Sequence, residues 1–68
     1  MYTYTYQADN RSGVISENGT VAITVTGNQE QVAGFTRWLN CVNPQQPGEE
    51  QLSLWFMRFL KSNPNMGA

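Results

Sequence analysis

The sequence predicts a small α+β domain: a three-stranded antiparallel β-meander followed by two α-helices packed on one face, in the order β-β-β-α-α. Three observations lead there. Residues 2–7 (Tyr-Thr-Tyr-Thr-Tyr-Gln) and 20–26 (Thr-Val-Ala-Ile-Thr-Val-Thr) alternate along the chain in β-favouring residue types. Asn18-Gly19 stands between two short apolar runs, and that dipeptide suits a type I′ hairpin turn, which needs positive φ at both central residues. Beyond residue 28 the apolar spacing changes from two to three-or-four, the period of a helix. With 68 residues the chain forms one domain, 1–68.

The first strand, about 2–7, runs into Ala8-Asp9-Asn10-Arg11-Ser12-Gly13, which is turn chemistry. The second, about 13–17, contains Val14-Ile15, and the third spans about 20–26. A two-residue Asn18-Gly19 turn sets Glu17 opposite Thr20, Ser16 opposite Val21 and Val14 opposite Ile23. Val14 then joins Val21, Ile23 and Val25 on the core face, while Ile15 and Ala22 lie on the other. An odd first loop, Ala8 to Ser12, brings Tyr2, Tyr4 and Tyr6 to the same side as Val14; an even loop sets them opposite. The odd loop is the expectation because it unites the apolar residues, and a one-residue slip would turn every side chain over. The outer face then carries Thr3, Thr5, Gln7, Thr20, Thr24 and Thr26.

Helix one is expected over about 29–42. Asn28 serves as N-cap, Gln31 completes a capping box and Glu30 adds an acid to the first turn. Val32, Phe35, Leu39 and Val42 recur at helical spacing with Trp38 beside them, and Glu30 and Arg37 fall on the opposite side. Asn43-Pro44-Gln45-Gln46-Pro47-Gly48 breaks the chain. Helix two, about 49–62, opens with Glu49 and Glu50 and closes with Arg58 and Lys61, which complements its macrodipole. Asn63-Pro64 ends it, and a frayed tail follows within 63–68.

Composition excludes much. The net charge is −1 and only 13% of residues are charged, which argues against a polyanion-binding protein. One cysteine permits no internal disulfide, and with no histidine a structural zinc site has no ligand set. No apolar run reaches the roughly 18 residues that span a bilayer. Met1-Tyr2-Thr3-Tyr4 lacks the basic and apolar regions of a signal peptide, so the expected location is cytoplasmic. Asn10-Arg11-Ser12 and Asn18-Gly19-Thr20 then match the glycosylation sequon only by chance. Without histidine there is no imidazole base or hydrolytic triad. Asp9, Glu17, Glu30, Glu49 and Glu50 each have a structural role in a turn or a helix first turn. Cys41 reads as a packing residue at a helix end, and the glycines are dispersed rather than gathered in a phosphate loop. Neither an enzyme nor a cofactor is expected.

The richest lead is the run Leu52-Ser53-Leu54-Trp55-Phe56-Met57-Arg58-Phe59-Leu60. At about 100° per residue, Leu52, Trp55, Phe56, Phe59 and Leu60 share an arc of about 140°, a sufficient core face. Leu54 and Met57 fall outside it, on the back of the helix between Glu50 and Lys61. Two copies packed antiparallel would bring Glu50 to the partner's Lys61, the self-complementarity a two-fold interface needs. The expected protein interface is therefore Glu50, Leu54, Met57 and Lys61, with Trp38 as a second anchor. The partner is a second copy, with further docking onto another protein. The alternative is a small nucleic-acid-binding regulator that stacks bases on Tyr2, Tyr4 and Tyr6 or uses Arg37 and Arg58 with Lys61. The N-terminal half sets only Arg11 against three acids, which weighs against it.

The stretch from Thr24 to Leu39 resembles the strand-to-helix passage of acylphosphatases. The phosphate-binding loop and arginine of that family have no counterpart here, so the resemblance implies strand–cap–helix chemistry and no activity. The compactness and lack of catalytic equipment resemble accessory proteins of phages and mobile elements.

Overall fold

The structure is a computed structural model and describes residues 1–62. The expected stop at Asn63-Pro64 and the tail lie outside the described residues. The elements are β1 (Tyr2–Gln7), β2 (Ser12–Glu17), β3 (Thr20–Thr26), α1 (Gln29–Val42) and α2 (Glu49–Ser62). The sheet is antiparallel in the order β1-β2-β3. The α+β class and the β-β-β-α-α order are those the sequence predicts.

Asn18 and Gly19 both take positive φ, 52° and 88°, as the I′ turn requires. Next to that turn, Glu17 pairs with Thr20 and Ser16 with Val21, as expected. Beyond it the register departs from expectation twice. The first loop is even, four residues from Ala8 to Arg11, because Gln7 pairs with Ser12. Arg11 closes that loop in the left-handed region at φ 51°. The second departure is a bulge: Ile15 faces Ile23 and Val14 faces Thr24, leaving Ala22 as the extra residue of β3. Ile15, not Val14, is therefore a core residue, fully buried, and Val21 turns outward with 62% exposure. Ala22 is half-buried against the core.

The two departures offset each other. Tyr4 pairs with Ile15 and Tyr6 with Gly13, so the tyrosines, Ile15, Ile23 and Val25 still share one face. Gly13 explains the choice. A Cβ on it would lie 2.6 Å from Val32 Cγ1, so α1 rests on the sheet at a point without a side chain. If Gly13 faces the helix, Ile15 must face it too, and Val14 must face away.

The core comprises Tyr2, Ile15, Ile23 and Val25 from the sheet, Val32, Phe35 and Leu39 from α1, and Leu52 and Phe56 from α2. Each large side chain buried in this way contributes about 1.5–3 kcal/mol. Thr3, Thr5, Gln7, Thr20, Thr24 and Thr26 are all exposed.

Both bonds of the capping box form: Gln31 N–H donates to Asn28 Oδ1 at 2.8 Å, and Asn28 N–H donates to Gln31 Oε1 at 2.9 Å. Asn43 ends α1 in the left-handed region and donates its N–H to the Leu39 carbonyl. Two expectations at this end are corrected. Val42 is 52% exposed and Cys41 is exposed rather than packed. Asn40 already reaches Tyr2, the first strand residue, so the helix end overshoots the sheet. Cys41 also lies nearly opposite the Val32–Phe35–Leu39 stripe at about 100° per residue.

Candidate functional site

Helix α2 divides as its spacing predicts. Leu52 and Phe56 are buried, and Trp55, Phe59 and Leu60 are half-buried against the core. Leu54 and Met57 remain 43% and 63% exposed, and Glu50 and Lys61 are exposed beyond them. One helical stripe thus carries two neighbouring apolar side chains with opposite charges at its ends. The charges stand eleven residues apart, about 16 Å along the axis.

Between the helices lies an aromatic cluster. Phe35 stacks on Trp38 with centroids 5.7 Å apart, and meets Phe56 edge-on at 5.2 Å. Trp38 meets Trp55 edge-on at 5.9 Å. Such pairs add about 0.5–1.5 kcal/mol beyond area burial. Trp38 is therefore an internal strut between α1 and α2 as well as a surface residue. With Trp55, Arg58, Phe59 and Ser62 it lines a groove of about 460 Å³ on the flank of α2. At about 100° per residue, Arg58 separates Trp55 from Leu54, so groove and stripe lie on adjoining flanks of one helix.

The tyrosines do not form a stacking platform. Tyr2 is buried at 2% exposure, and Tyr6 is half-buried with its hydroxyl donating to the Gly27 carbonyl at 2.9 Å. Only Tyr4 keeps substantial exposure, 37%. Arg37 and Arg58 line different grooves, one beside β1 and one between the helices. The base-stacking alternative thus loses two of its three rings to the core and finds its basic residues apart.

The Tyr2 hydroxyl is buried beside the Glu17 carboxylate but makes no hydrogen bond of full geometry. Burial pushes its phenol above the usual range, and the nearby Glu17 carboxylate adds to the effect. Glu17 stands directly across the ladder from it.

Among the described residues no three potential metal-ligating side chains gather, and no helix is long and apolar enough to cross a membrane. The chain matches no protein-family model, no curated protein and no solved structure. Two features escaped sequence reasoning: the Asn40 contact with β1 and the groove it closes. Arg37 was visible as a charge, but nothing in the sequence placed it beside an edge strand.

Proposed function

We propose that this domain is a non-catalytic interaction module that self-associates through the outer stripe of α2. One observation carries this reading. Leu54 and Met57 stay exposed on a single stripe while five other apolar residues of the same helix are taken up by the fold. Glu50 and Lys61 supply the rest of a self-complementary surface. In an antiparallel pairing the apolar side chains meet at the two-fold axis, and each Glu50 approaches the partner's Lys61. The apolar centre would supply most of the affinity, because exposed ion pairs contribute only about 0.2–1 kcal/mol. The charges would fix orientation. Small domains with thin cores gain stability from such association. Trp38 and Trp55 at the adjoining groove would form the rim of the contact.

Charge exchange tests the geometry. Glu50→Lys should raise the dimer dissociation constant by bringing like charges together, and adding Lys61→Glu should restore it. Sedimentation equilibrium reads both. A wild-type chain that stays monomeric throughout the micromolar range would refute self-association.

A further inference from the structure

A second surface, away from α2, has the chemistry of a peptide site. Strand β1 is an edge of the sheet. In an antiparallel ladder, alternate residues send both backbone polar groups to the same side. Tyr2 turns its groups away from β2: its N–H donates to Asn40 Oδ1 at 2.7 Å, and its carbonyl accepts from Asn40 Nδ2 at 3.0 Å. Tyr4 and Tyr6 share that orientation, two and four residues on. Their N–H and C=O groups therefore project from the open edge, and among the described residues nothing bonds them. The Asn40 amide makes the two bonds that one residue of an adjacent strand would make. It stands in for the first residue of a fourth strand whose remainder is missing.

At the Tyr4 end of this open stretch lies a groove of about 460 Å³ between β1 and α1, lined on the strand by Tyr2, Thr3 and Tyr4 and on the helix by Ala33, Thr36, Arg37 and Asn40. We propose that it binds an extended, acidic peptide segment of another protein, added to β1 as a fourth strand. Backbone bonds to Tyr4 and Tyr6 would supply affinity, as in other edge-strand recognition. Ala33 and the half-open Tyr4 ring leave room for an apolar side chain. Thr36 is buried and spends its hydroxyl on the Val32 carbonyl at 2.8 Å, so it contributes no competing donor to the groove. Arg37 is the one charged lining residue, and its guanidinium suits a carboxylate. A second copy of this chain does not meet that requirement, because neither edge strand, Tyr2–Gln7 or Thr20–Thr26, contains an acid. Nucleic acid fits poorly, since a single arginine on a chain of net charge −1 gives no phosphate track.

The test uses capped peptides of alternating valine and serine with one glutamate placed at each position in turn, and a matching lysine series. Amide resonances of the full chain are followed during titration. The expected result is that glutamate peptides shift the Tyr4 and Tyr6 amides and slow their hydrogen exchange, with the lysine series at least about tenfold weaker. Arg37→Glu, a change on an exposed helix position, should reverse the preference while leaving the amide spectrum elsewhere unchanged. Shifts confined to other surfaces, no shift from either series at millimolar peptide, or an Arg37→Glu chain that keeps its glutamate preference would each overturn the proposal.

Discussion

Helices α1 and α2 have the same length, 14 residues, yet the fold holds them differently. Helix α1 is fixed at both ends, by a two-bond capping box and by Asn43 in the left-handed region. Val32 locks it onto Gly13, and Asn40 ties it to β1. It runs from the Gly27 end of β3 across Gly13 of β2 to the free edge of β1. Helix α2 buries only Leu52 and Phe56 fully and meets α1 through the rings of Phe35, Trp38, Trp55, Phe56 and Phe59. It keeps two exposed apolar side chains that the fold does not use. Helix α1 leaves Val42 exposed at the end that overshoots the sheet, whereas α2 leaves Leu54 and Met57 side by side on one stripe, the surface proposed above for a partner.

The largest effect should come from breaking the shared centre. Phe35 is fully buried and touches Trp38, Phe56 and Phe59. Phe35→Ala should cost about 3–5 kcal/mol, enough to unfold much of so small a domain, as read by urea denaturation. Gly13→Ala comes next. The new Cβ meets Val32 near the helix backbone, so α1 must lift, at a cost of about 1–3 kcal/mol. If that change proves neutral, the seating of α1 on Gly13 is wrong.

Tyr2→Phe should act in the opposite direction. It removes a buried hydroxyl that meets Glu17 without a full hydrogen bond, and relief of that desolvation should stabilise the chain by up to about 1 kcal/mol. The pH dependence has a definite sign. The folded phenol titrates above its unfolded value, so the neutral form belongs to the folded state. Wild-type stability should hold below about pH 10 and fall as pH rises through the folded value. Tyr2→Phe should flatten that alkaline loss, as thermal melts across the range would read. The smallest effect is expected on the back of α2. Leu54→Ser and Met57→Ser should each change the stability of the isolated monomer by less than about 0.5 kcal/mol.

Element order was legible because each element carries its own local signals. Asn18-Gly19 took the expected turn, Asn28 and Gln31 closed the expected box, and the spacing of α2 separated Leu54 and Met57 from the core arc. Strand register was legible only next to the Asn18-Gly19 turn, where Glu17 meets Thr20 and Ser16 meets Val21. Val14-Ile15 and Val21-Ala22-Ile23 place an apolar residue on either face, so hydrophobicity cannot choose between them. The choice came from a tertiary demand, space for Val32 over Gly13, which no local pattern reveals. Val42 fits the helical stripe but lies where no sheet remains to cover it. The groove beside β1 depends on Asn40 meeting Tyr2 across 38 residues of chain, a pairing that only the fold creates.

The proposed role of α2 is tested most directly by sedimentation equilibrium of wild type and of the double variant Leu54→Asp, Met57→Asp at micromolar concentration, with circular dichroism to verify the fold. A wild-type dimer and a folded, monomeric variant are predicted. A variant that remains dimeric would place the interface elsewhere, and a monomeric wild type would contradict self-association altogether.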